Sequence, residues 1–88
     1  MQFEWDEAKR RRNFAKHGVD FPDVLPAFDG RSVLEGADTR QNYGEPRWIR
    51  LAEVERTVLH ITYTRRGKVI RLISARRASR RERKAYYR

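Results

Sequence analysis

Arg66, Arg71, Arg76 and Arg77 gather in one short stretch of this 88-residue chain, with His60 just before them and Glu82 just after. Arginine suits phosphate because its planar fork donates two parallel hydrogen bonds and its charge does not titrate away. Such groups can bind RNA, or can stabilise the charge that builds on phosphorus during strand scission. His60 is a candidate general base, since imidazole titrates near neutrality. Glu82 is a second candidate proton acceptor, and Lys68, Arg80 and Arg81 supply further docking charge. Tyr63, Tyr86, Tyr87, Trp48 and Trp5 offer rings on which unpaired bases could stack.

Each group also has a plainer reading. A charge run such as Arg76 to Lys84 serves equally as a solvated helix face. His60 can be a packing residue, His17 a helix cap, and Glu82 a capping acid or a partner for neighbouring arginines.

The charge is one-ended. Of a formal net charge of +9, residues 65 to 88 carry nine Arg and two Lys against one acid, whereas residues 1 to 64 are nearly balanced. A field of that shape points at a polyanion. The chain has no cysteine, which excludes disulfides, thiolate metal sites and cysteine nucleophiles. Two histidines without metal-ligand spacing point to chemistry with no metal and no cofactor. The five glycines are isolated, so neither a P-loop nor a dinucleotide fingerprint is present. No apolar run approaches a membrane span and no signal-peptide core opens the chain, so a soluble cytoplasmic protein is expected.

These residues need a rigid frame, and 88 residues allow a single domain, 1–88, with a small core. Phe3 and Trp5 alternate with polar neighbours as a short strand. Asp6 is placed to cap a helix running to His17, with Gly18 closing it and Ala8, Ala15 and Phe14 turned inward. Asp20 is placed to cap about two helical turns ending near Phe28, with Pro26 shortening them. Residues 32–34 suit an edge strand, 36–46 a loop, and 47–52 a strand.

The segments 56–64 and 68–75 form a hairpin about an Arg66-Gly67 turn, which pairs Tyr63 with Ile70 and His60 with Ile73. Leu59, Ile61, Tyr63, Ile70 and Leu72 then share the core face. His60, Thr62, Thr64 and Arg71 share the opposite, more open face. Ser79-Arg80-Arg81-Glu82 is a capping box opening a last helix through Tyr87. The expected class is α+β, a small antiparallel sheet with two N-terminal helices and a C-terminal helix.

The stretches FEWDEAKRRRNFAKHGVDF (3–21), T-x-R-G (64–67) and RLISARRASRRERKAYY (71–87) resemble the BrnT family of type II toxins. That resemblance implies a fold similar to RelE-like ribonucleases. It also implies a metal-independent RNA endonuclease that inhibits translation and is neutralised by a cognate, BrnA-like antitoxin, with operator DNA reached through the antitoxin complex. Its motifs point to Arg66, Arg71, Arg76, Glu82 and Tyr86 as site residues; Lys16 and His17 fall in the K-H-G-V motif. The rival reading is a basic module that binds nucleic acid or an antitoxin without cutting. The two differ in whether the arginines converge beside a base or spread along a phosphate-tracking stripe.

Overall fold

Asp6 and Gly18 bound the first helix as their chemistry requires. A computed structural model describes residues 1–88. In it β1 (Gln2–Glu4) leads to α1 (Glu7–His17), a 3₁₀ helix (Phe21–Phe28), β2 (Val33–Ala37), β3 (Trp48–Val54), β4 (Thr57–Arg66), β5 (Val69–Arg77) and α2 (Arg80–Tyr86). The Asp6 carboxylate accepts the Lys9 N–H, and Gly18, at φ 71°, donates its N–H to the Phe14 carbonyl.

The inward face of α1 differs from expectation. Ala8 and Ala15 are exposed, Phe14 is 54% exposed, and the helix buries Asn13 instead. The cause is polar. β1 pairs with β5 only over residues 69 to 71, which leaves the β5 edge beyond them without a strand. Asn13 fills that gap, accepting the Ala75 N–H at 3.0 Å and donating to the Ala75 and Val19 carbonyls at 2.8 and 2.9 Å.

The second helical segment is 3₁₀ rather than α. Pro22 and Pro26 lack N–H donors, so an α-type ladder is interrupted within two turns. Its apolar residues still pack inward, with Phe21, Val24, Ala27 and Phe28 buried. Asp20 makes no side-chain cap there; it holds the Arg10 guanidinium at 2.7 and 3.0 Å.

The five strands lie in the order β1-β5-β4-β3-β2. The sheet is mixed, because β1 runs parallel to β5 while the other pairs are antiparallel. Tight hairpin turns force antiparallel pairing between β3, β4 and β5, but no such turn joins β1 to β5. At the β3–β4 turn Glu55 and Arg56 take φ of 49° and 67°, the left-handed pair that a two-residue hairpin demands.

At the β4–β5 hairpin the turn is Gly67-Lys68, with Arg66 paired to Val69 and Tyr63 to Leu72. The pairing is thus displaced from an Arg66-Gly67 turn by an even step, which preserves the sorting of faces. Beyond Tyr63 the register slips, and Thr62 pairs with Ser74. Ile73 is the extra residue of a bulge. Arg71 and Arg76 stand at positions of opposite parity, and the bulge places both on the face that carries His60, Thr62 and Thr64.

The main core lies between the other face of the sheet and the 3₁₀ helix. It contains Leu59, Ile61, Tyr63, Ile70 and Leu72 as expected, and the bulge adds Ala75. The His60 face is covered rather than open: His60, Thr62 and Thr64 are all buried. At one end Ala78 and Tyr86 pack on Leu51 and Val58. At the other the Thr64 hydroxyl donates to the Pro46 carbonyl at 2.6 Å. No helix is long and apolar enough to cross a membrane.

Candidate active site

Across the covered face the strand register sets side chains in rows. Leu51, His60 and Arg76 form one; Ile49, Thr62 and Ser74 the next; Thr64, Arg71 and Glu4 a third. Successive rows are about 7 Å apart, two residues along a strand. His60 and Arg76 are therefore direct cross-strand neighbours.

Glu82 completes the first row from α2. Ser79 accepts the Glu82 N–H, and the Glu82 side chain accepts the Ser79 N–H at 2.8 Å, the expected capping box. The same carboxylate takes the Arg76 fork, with Nη1 at 2.8 Å and Nη2 at 2.9 Å from its two oxygens. Glu82 Oε2 lies 3.8 Å from His60 Nε2. The Arg76 hydrogen bonds hold the Glu82 carboxyl down at about 2, so it is ionised and weakly basic.

The His60 side chain is only 7% exposed. Burial lowers its pKa, the Arg76 and Arg40 charges lower it further, and Glu82 opposes them. The imidazole is therefore uncharged near neutral pH. Its Nδ1 and the Thr62 hydroxyl are buried without hydrogen-bond partners in the chain.

A histidine that is harder to protonate when folded than when unfolded favours the unfolded state in acid. The unfolded imidazole binds its proton below its ordinary value of 6.5, while the folded one still resists. Its contribution is present above pH 6.5 and is lost as the pH falls from there towards the depressed folded value. Urea unfolding from pH 8 to 5 is expected to show stability declining below about 6.5. His60→Gln should flatten that slope, and an unchanged slope would remove His60 as its source.

The remaining candidates are spread out. Arg71, in the third row, pairs with Glu4 at 2.5 Å. Arg66 stands at the far end of β4, 3.8 Å from Glu45 and about 20 Å from His60 at the usual strand rise. Lys68, Arg77, Arg80 and Arg81 are exposed. Tyr86 is engaged, packing under α2 and donating its hydroxyl to the Ser32 carbonyl at 3.0 Å. Tyr63 is wholly buried, and Trp5 packs edge-on against Phe21. The Tyr63 ring is closed to a base, and Trp5 is half-buried. Tyr87 is exposed and bonded to Glu53.

Of the segment 36–46, read from sequence as a plain loop, Gly36 and Ala37 belong to β2 and the remainder, with Arg47, is built around a buried acid. Asp38 accepts the Arg40 guanidinium at 2.8 and 2.7 Å and the Tyr43 hydroxyl at 3.1 Å, and these bonds hold its carboxyl far below the usual range. The Arg47 guanidinium lies 4.0 Å above the Tyr43 ring. The only advance sign was the Asp38-Thr39-Arg40 spacing, which a short loop brings into bidentate reach.

The family model described as "Ribonuclease toxin, BrnT, of type II toxin-antitoxin system" matches residues 5–82. No curated protein matches the chain.

Proposed function

Because the chain belongs to the BrnT family of ribonuclease toxins of type II toxin–antitoxin systems, we propose that it cleaves RNA without a metal, at a site centred on His60 and Arg76. One observation carries this reading: the His60 imidazole, its proton affinity lowered by burial, and the Arg76 guanidinium fork are side by side on paired strands. Strands hold such groups in fixed relation, which is what stabilising charge on phosphorus requires.

In this mechanism an RNA phosphate takes the place of the Glu82 carboxylate on Arg76, and the shift of Glu82 opens His60 to the sugar. His60 accepts the proton of the 2′-hydroxyl as the 2′-oxygen attacks phosphorus in line. The new O–P bond forms as the bond to the 5′-oxygen breaks; the departing oxygen takes a proton from water, and His60 returns the one it accepted to solvent. The products are a 2′,3′-cyclic phosphate and a 5′-hydroxyl. Arg76 holds the non-bridging oxygens while negative charge builds there.

Glu82, too weak a base near neutrality, keeps Arg76 in place until RNA arrives. Arg71 and Arg66 lie further along the same face and, with Lys68, Arg77, Arg80 and Arg81, provide the track for neighbouring phosphates. Tyr86 anchors α2. Metal independence is part of this proposal: the acid beside His60, Glu82, is engaged by Arg76. A BrnA-like antitoxin would neutralise the protein by laying an acidic segment on the arginine face, and the complex would meet operator DNA through that partner.

One observation favours the second reading, a binding module that cuts nothing. Arg66, Arg71 and Arg76 each carry a carboxylate partner, and His60 is buried. Purified protein incubated with RNA in EDTA separates the two. Cleavage ending in cyclic phosphate supports the nuclease; salt-sensitive binding with intact RNA supports the module.

A further inference from the structure

Segment 38–47 lies at the end of the His60 face away from α2. Asp38 donates its N–H to the Arg47 carbonyl at 2.8 Å, carrying the β2–β3 pairing one step past Ala37 and Trp48. Sheet order puts this corner on the side of β4 opposite β5, the strand of Arg76. The corner that carries Arg40 and the strand that carries Arg76 thus lie on opposite flanks of β4, with Asp38 level with the Thr64 row.

Arg40 is held there by an unusual arrangement. Its side chain is 63% exposed, yet the carboxylate that forks it is 0% exposed. A long surface cation ordinarily samples many rotamers, and a bidentate bond to a buried acid removes that freedom. The result is a guanidinium fixed in direction and open to solvent.

A second observation points to a ligand beside it. The buried side-chain polar atoms that lack a partner are Arg47 Nε, Thr62 Oγ1 and His60 Nδ1. All three belong to this one face: His60 and Thr62 stand in successive rows, and Arg47 continues β3 into the next, beside Thr64. Unmet hydrogen-bonding capacity clustered in this way is expected where a polar substrate is to be received. The charge of Arg40 also reaches His60, lowering its proton affinity together with Arg76.

We propose that Arg40, held by Asp38, is a second phosphate-contacting arginine of the reaction site, facing Arg76 across His60. The inference rests on the nuclease reading and deepens it. A second guanidinium beside that phosphate would share the non-bridging oxygens with Arg76 and add donors to the charge that builds there.

The test uses the full-length protein with RNA in EDTA. Removing Arg40 alone strands a buried carboxylate, so the first variant is the double change Asp38→Asn/Arg40→Ala. Its kcat is expected to fall about 100-fold, the usual loss of one oxyanion donor. The acid limb of its pH–rate profile, and the His60 titration followed by NMR in the absence of RNA, should both move to higher pH. A shifted titration with an unchanged rate would mean that Arg40 acts on His60 by charge alone and touches no phosphate. Arg40→Lys should restore part of the rate, since charge returns without the fork.

A folded double variant that cleaves within twofold of wild type overturns the proposal, whatever its His60 titration. If the double variant fails to fold, Arg40→Lys decides, and a wild-type rate overturns it. Wild-type protein that leaves RNA intact overturns the nuclease reading and this role with it. Wild-type cleavage indifferent to Arg40 overturns this role alone.

Discussion

Arg76→Ala is expected to slow RNA cleavage about 100- to 1,000-fold, the range for removing one preorganised donor to a developing oxyanion. The fold should tolerate the change. Glu82 keeps its bond from the Ser79 N–H, so the capping box survives. The lost ion pair joins two groups that are each about a third or a quarter exposed, and screened pairs of this kind contribute about 1 kcal/mol or less. Melting should therefore fall by no more than about 8 °C, while activity falls by orders of magnitude. Arg76→Lys should recover little, because an ammonium cannot reproduce the fork. Cleavage assays in EDTA beside thermal melts make the comparison. A folded Arg76→Ala protein cutting at the wild-type rate would remove Arg76 from the mechanism.

The largest stability loss is expected at Asn13. Its carboxamide meets both backbone groups of Ala75 at 3.0 and 2.8 Å, and donates to the Val19 carbonyl at 2.9 Å. Asn13→Ala strands a buried N–H and a buried carbonyl on β5, and each unsatisfied group costs about 1–3 kcal/mol. A loss of about 2–6 kcal/mol follows, lowering the melting temperature by at least about 8 °C in a domain of this size. Asn13→Asp should do no better, because a carboxylate can accept from Ala75 but has nothing to donate to the two carbonyls. Urea unfolding measures both variants. A change below about 1 kcal/mol for Asn13→Ala would mean that another group, or solvent, satisfies the β5 edge.

The contrast between these residues shows what local sequence conveys. Asp6, Gly18 and the Ser79–Glu82 box act within a few positions of themselves, so their roles follow from type and spacing. The alternation of β4 and the first half of β5 likewise named the core face correctly. Asn13 acts across 62 positions of chain, on an edge that exists only after β1 pairs with the first part of β5 and stops. No periodicity in α1 announces that demand. The parallel direction of β1 was hidden for the same reason.

The site was legible in part. Arg76, Glu82 and His60 were singled out by chemistry, and the fold brings them together. Their shared face, however, depends on the bulge at Ile73, and strict alternation does not supply it. Arg66 and Arg71 have the same chemistry but lie along the strands, where position rather than type decides reach. Asp38 and Arg40 went unnoticed because a segment without period gives no hint that one of its acids will be wholly buried.

Ile73 carries no polar or charged group, yet it sets the phase of every side chain between the bulge and α2. An in-frame insertion of one uncharged residue between Ser74 and Ala75, with the bulge kept, would move the later pairing on by one. Ala75 would then stand opposite His60 and face Glu82, and Arg76 would stand opposite Leu59 and turn towards the apolar core. A chain so altered keeps all its arginines, its histidine and its net charge. If selection against a harmful activity acts on this protein, escape need not strike a reactive residue at all. It can arise as a frame error in three dimensions, written in a stretch that carries no chemistry.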